Sequence, residues 1–137
     1  MSLNTTIEAF EAIWARCAPW LEEALVRSGC TETIDDVKMA VAKGSCHLFH
    51  HEDGAAITLV DRYEKVPTLR IWLAGGNMDA LEEMLPAAEA LARRLKCEQI
   101  RFLGRPGFQR SFLENKGFKA VAVDMAMTLA PVEEPNG

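Results

Sequence analysis

Residues 69–118 read LRIWLAGGNMDALEEMLPAAEALARRLKCEQIRFLGRPGFQRSFLENKGF. Residues 69–74 alternate small or apolar groups with larger ones and predict a strand, followed by a Gly75-Gly76-Asn77 loop. From about 79 to 96, Leu81, Met84, Leu85, Ala88, Leu91, Ala92 and Leu95 recur at helical spacing. Glu82, Glu83, Glu89, Arg93 and Arg94 lie on the opposite face, with Pro86 among them, where it is expected to bend the helix. Asn77 or Asp79 is the expected N-cap. Residues 99–103 predict a second strand, and Gly104-Arg105-Pro106-Gly107 a second loop. A short helix carrying Phe108, Phe112 and Leu113 then ends at Gly117. Two strands joined by a crossover helix pair in parallel, so this stretch is a βαβ unit with a central parallel strand pair.

The segments before and after are built around that unit. Thr5 and Thr6 precede Ile7, Phe10, Ile13, Trp14 and Cys17, a capped amphipathic helix that Pro19 is expected to break. A second helical piece over 20–27 closes at Gly29, and Thr33 caps a third over 34–43, with Gly44 as its stop. Residues 45–51 and 55–61 predict an antiparallel pair around Glu52-Asp53-Gly54, with Asp-Gly supplying the positive φ of a tight hairpin. On the strand 69–74, strict alternation places Leu69, Ile71 and Leu73 on one face and Arg70 and Trp72 on the other. A last strand runs over 118–129. The expected organisation is one domain over 1–130 and a short, mobile acidic tail over 131–137, within a mixed-sheet α/β (α+β) fold class.

The 137 residues suffice for one domain with a sizeable core. No apolar run is long enough to span a bilayer, which argues against a membrane partner. No basic-then-apolar leader opens the sequence, so the expected location is cytoplasmic and Cys17, Cys30, Cys46 and Cys97 are expected to be reduced thiols. The net charge of −5 argues against non-specific nucleic-acid binding. Its distribution is uneven: residues 88–120 carry 8 basic and 3 acidic groups, whereas residues 1–87 carry 7 and 14. Positive charge therefore gathers around the second loop, where it suits either a small anion or a solvated helix face.

Gly75-Gly76-Asn77 stands where a strand hands over to a helix, so it suits either an anion at the helix N-terminus or a plain turn needing positive φ. Arg105, with Arg110 beyond it, can clamp a phosphate or carboxylate in two-pronged fashion, or simply sit on the surface. Cys46-His47-x-x-His50-His51 invites a metal reading. On a strand, however, Cys46 and His50 face one way and His47 and His51 the other, and residues four apart are separated by roughly 13 Å. No metal site is expected, although one histidine suits a general base. Tyr63 and Glu64, after the second strand, occupy another place for a base or acceptor contact.

Helices, then an antiparallel meander, then strand–helix–strand–helix–strand resembles the GCN5-related N-acetyltransferase (GNAT) fold over about residues 5–129. The most specific part is the second loop, the short helix, Gly117-Phe118 and the final strand. The chain is also similar in shape to small GNAT-like proteins encoded in phages and prophages. The resemblance implies a GNAT-like acyl-CoA N-acyltransferase fold, acetyl-CoA or another acyl-CoA as cofactor, a small-molecule or peptide amine as acceptor, and pairing of two copies through sheet edges. It makes Gly75, Gly76, Asn77, Arg105 and Arg110 candidate cofactor contacts, and Arg70 and Trp72 candidate acceptor contacts. The family's pyrophosphate loop runs Gln/Arg-x-x-Gly-x-Gly/Ala; here the place holds Gly75-Gly76-Asn77-Met78, with neither Gln nor Arg. Where the family often has an Asn and a proton-donating Tyr, this chain has Pro106 and Leu113. No catalytic residue follows from the match. The resemblance thus leaves two functions: an acyltransferase with an atypical cofactor loop, or a GNAT-fold binding or assembly module without catalysis.

Overall fold

A computed structural model describes residues 3–28, 31–62 and 65–102, together with Gly117, Phe118 and Met127. The chain divides into two compact units, residues 1–106 and 107–137. The first holds α1 (Leu3–Ser28), α2 (Ile34–Ala42), β1 (His47–His51), β2 (Gly54–Asp61), β3 (Thr68–Gly76), α3 (Met78–Arg94) and β4 (Gln99–Phe102). The short helix after the second loop, the final strand and the acidic tail lie outside the described residues. The four described strands lie in the order β1-β2-β3-β4. The first three form an antiparallel meander, and β3 pairs in parallel with β4, as the crossover through α3 requires. Among the described residues no helix is long and apolar enough to cross a membrane.

Strand alternation feeds two cores, one on each face of the sheet. Ala55, Ile57 and Leu73 join Trp14, Cys17, Leu21 and Leu25 of α1 and Val37 of α2. On the other face, Leu69 packs with Ala88, Leu91 and Ala92 of α3, and Ala56 and Ile71 pack with Met84. The amphipathic stripe read in residues 79–96 is the buried face of α3, with Ala80 and Leu85 also buried. Each fully buried Leu there contributes roughly 1.5–3 kcal/mol.

Pro19 does not break the first helix. α1 is continuous over 26 residues with Pro19 inside it. The expectation of separate pieces fails because the apolar stripe does not stop at the proline: Trp14, Cys17, Leu21, Ala24 and Leu25 keep one buried face across it. Pro19 itself is exposed, so its ring meets solvent rather than a neighbour. The lost backbone bond costs about 3 kcal/mol, which burial of the second half of the helix offsets.

A bulge in β3 revises the facing of its side chains. Ile57 pairs with Leu73, but the next residue of β2, Thr58, pairs with Ile71. Trp72 is therefore the extra residue on β3. Strict alternation would put Leu69, Ile71 and Leu73 on one face. Instead Leu69 and Ile71 face α3, whereas Leu73 lies in the α1 core with Trp72 partly buried against it.

Two local readings resolve differently. Gly44 stops α2 with a φ of +81°, as expected. Gly54 is not left-handed, nor are Glu52 and Asp53. Gly54 is required by close approach instead, since a Cβ there would stand 2.9 Å from the Gly75 carbonyl oxygen and 3.1 Å from the Ala80 Cβ.

At the start of α2 the Thr33 hydroxyl accepts the Asp36 amide proton at 3.2 Å, and the Asp36 carboxylate accepts the Thr33 amide proton at 2.9 Å. This is a capping box. The Thr33 backbone amide, then its side chain, hold the Asp36 carboxyl below its ordinary pKa. We expect Thr33→Ala to cost about 1 kcal/mol in urea unfolding. A depressed carboxylate pKa adds stability above the unfolded-state pKa and loses it as pH falls through the folded-state value. The stability gap between the parent chain and Asp36→Asn should therefore be full at pH 7 and shrink on acidification through and below the ordinary carboxylate range. A gap that stays constant through and below that range would refute the assignment.

Candidate functional site

The Gly75-Gly76-Asn77 loop joins β3 to α3, where the resemblance places a phosphate cradle. Gly75 is buried, and a Cβ on it would stand 2.5 Å from the Trp20 carbonyl oxygen and 2.9 Å from the Trp20 Cβ. Gly76 has a φ of +106°, and its bare side is filled by the Asp53 carbonyl and the Gly54 Cα. The Asn77 amide donates to the Asp53 carbonyl at 2.9 Å. Asn77 is the N-cap of α3, its Oδ1 accepting the Ala80 amide proton at 2.7 Å. Its carbonyl accepts from Leu81 at 3.3 Å. Of the first-turn donors, only the Met78 and Asp79 amides are left for an outside acceptor among the described residues, and the Asp79 carboxylate already sits in that turn.

A CoA diphosphate needs several converging N–H donors and a backbone free of side chains on the side it approaches. Here the bare sides of both glycines are occupied by α1 and by the β1–β2 turn. The Cβ sides of both glycines are thus taken by protein, while Gly76, Asn77, Met78 and Asp79 remain exposed at the start of α3.

The histidines of β1 divide between the faces as alternation requires. His50 meets Arg16 of α1, its Nδ1 lying 3.3 Å from the guanidinium Nη2. His51 turns to α3. Its Nδ1 accepts the Asp53 amide proton at 3.0 Å, so the ring proton belongs on Nε2, which meets Glu83 Oε2 at 2.5 Å. With both nitrogens engaged, His51 ties the hairpin to α3 and has no lone pair free to act as a base. Cys46 is buried in the α1 core, where burial first and Glu32 second push its thiol pKa up. Burial likewise raises that of Cys17, against the opposing effect of Arg16. Among the described residues no group of three His, Cys, Asp or Glu is placed to hold a metal ion. Cys30, Tyr63 and Glu64 lie outside the described residues.

Arg70 and Arg101 are register partners in the parallel β3–β4 pair. Arg70 Nη2 donates to Asp61 Oδ2 at 2.9 Å. Asp61 pairs with Thr68 and Leu59 with Arg70, so Asp61 and both arginines share one face of the sheet. The Nε atoms of Arg70 and Arg101 are shut off from solvent without a hydrogen-bond partner among the described residues. Gln99 Nε2 donates to the Thr68 hydroxyl at 2.8 Å beside them. Arg101 was not singled out from the sequence. Its signal is the register itself, because the residue opposite Arg70 follows only once the offset of the two strands is known. Trp72, the other acceptor candidate, is partly buried against the α1 core. Arg105 and Arg110 lie outside the described residues.

No protein-family sequence model matches the chain, and no curated protein matches it in sequence. Solved structures do match. The wild-type protein TTHA1254 from Thermus thermophilus superposes with a TM-score of 0.62 at 15% identity, over 90% of this chain and 95% of that one. A Trypanosoma brucei acetyltransferase gives 0.56 at 13%, over 70% and 78%. A GNAT family acetyltransferase from Staphylococcus aureus gives 0.50 at 14%, over 80% and 87%. At such identities the likeness carries the fold and no more. The chain has the mixed α/β fold of the GNAT acetyltransferases.

Proposed function

We propose that this chain is a binding module built on the GNAT fold rather than an acetyl-CoA-dependent transferase. One observation carries the reading: the Cβ sides of Gly75 and Gly76 are filled by Trp20, Asp53 and Gly54, and the Asn77 amide is spent on the Asp53 carbonyl. An acetyltransferase needs those groups free at the moment the cofactor arrives. The lack of a Tyr at Leu113, where the family keeps its usual proton donor, points the same way.

A second reading is an N-acyltransferase that passes an acetyl group from acetyl-CoA to an amine. The observation favouring it is the start of α3, where Gly76, Asn77, Met78 and Asp79 are exposed and the Met78 and Asp79 amides are left for an outside acceptor. In that reading the cofactor contacts are those the resemblance implies, Arg105 among them.

Calorimetric titration with acetyl-CoA separates the two. No saturable heat up to about 1 mM is expected, which corresponds to binding weaker than about −4 kcal/mol. Micromolar binding that Arg105→Ala weakens would overturn the module reading in favour of the transferase. The packing role of the loop has its own check without any ligand. Gly75→Ala should cost about 1–3 kcal/mol in urea unfolding, because the new methyl group meets the Trp20 backbone. A Gly75→Ala chain as stable as its parent would mean that the space is kept for something other than α1.

A further inference from the structure

We infer that His51 is a proton-operated latch on the start of α3: neutral, it holds the β1–β2 turn that binds Asn77, and protonated, it lets that turn go. The inference rests on neither reading of the function, since it concerns the chain without any ligand.

The two ring nitrogens carry it. Nδ1 lies 3.0 Å from the Asp53 amide nitrogen, and a backbone N–H can only donate, so Nδ1 must offer a lone pair. Nε2 lies 2.5 Å from Glu83 Oε2, and an ionised carboxylate can only accept, so Nε2 must carry the proton. Only the neutral ring with its proton on Nε2 satisfies both partners. A second proton goes to Nδ1, and two N–H groups then face each other where a hydrogen bond stood. Glu83 attracts the imidazolium that the Asp53 amide repels, so the charged ring keeps Glu83 and gives up Asp53.

The turn passes the change on to α3. Asp53 gives its amide proton to His51, and its carbonyl accepts the Asn77 amide proton at 2.9 Å. The same carbonyl, with the Gly54 Cα, fills the Cβ side of Gly76. Asp53 is exposed, so water meets its amide once the ring withdraws. With its amide released, the Asp53 backbone is free to turn, and the Asn77 amide loses its fixed acceptor.

The charges around the ring leave the proton on His51 in control. Among the described residues α3 brings Glu83 to the ring, with Glu82 beside it and Asp79 one turn before. The turn adds Glu52 and Asp53, and β2 sets the uncharged Gly54 opposite His51. Along β1, His50 meets Arg16 of α1, and His47 stands roughly 13 Å from His51. Carboxylates ordinarily titrate below the range of about pH 5 to 8 in which an imidazole changes charge.

The test is amide hydrogen exchange of the full chain, followed by NMR at about pH 8 and about pH 5.5 and corrected for the intrinsic effect of pH on exchange. On acidification the Asn77 amide should lose protection about tenfold, while amides inside α3 keep theirs. His51→Asn cannot take up the proton, yet its side-chain oxygen can accept the amide two residues on, as in an Asx turn, so it should hold Asn77 equally at both pH values. Nitrogen NMR of the parent ring at the higher pH should find the proton on Nε2. A proton on Nδ1 instead, unchanged protection of Asn77 in the parent, or an equal loss in the parent and in His51→Asn would each overturn the inference.

Discussion

The approach of the Trp20 backbone to Gly75 sets the distance between α1 and the sheet. The contact is possible only because Gly75 lacks a Cβ. Any larger residue would hold α1 away from β3 and open the core that Cys17, Leu21 and Leu73 close. The next two residues continue the same arrangement. Gly76 turns with positive φ against Asp53 and Gly54, and the Asn77 amide bonds the Asp53 carbonyl. Three consecutive residues thus fix a helix, a hairpin and the start of the crossover helix against one another. His51 adds a side-chain tie between the same hairpin and α3 through Glu83. Glycines in such a place are a structural requirement before they are a ligand site.

The β3 bulge has a comparable reach. By adding Trp72 to one strand, it moves Leu73 into the α1 core while Leu69 and Ile71 stay with α3. The apolar content of the strand is thereby shared between both cores, and the part of the face beyond the bulge belongs to Arg70 and Arg101. A strand without the bulge would send Leu73 towards α3 and take one wall from the α1 core. The shape of the sheet and the position of its charged strip have one local cause.

Much of this was legible in the sequence. The 3.6-residue stripe of α3, its Asn77 cap and the Gly44 stop follow from local chemistry and stand where periodicity puts them. What failed was decided at long range. Pro19 reads as a break, but the energy that keeps α1 whole comes from Leu21, Ala24 and Leu25 packing on a sheet about 30 residues further along the chain. The bulge leaves no mark in residues 69–76, because it is a relation between β3 and β2 rather than a property of either. For the same reason the sequence draws the eye to Arg105 between its glycines and not to Arg101. Glycine content left two readings of the loop open, since composition shows that a Cβ is absent but not what fills its place.

The fold and the chemistry therefore separate at a definite point. A GNAT fold can keep its sheet and crossover helix without keeping the family's loop, because nothing in the packing of α3 on Leu69 and Ile71 depends on a phosphate. The Trp20–Gly75 approach and the Asn77–Asp53 bond hold these three residues where they stand whatever the first turn of α3 binds, and moving Trp20 away would open the α1 core.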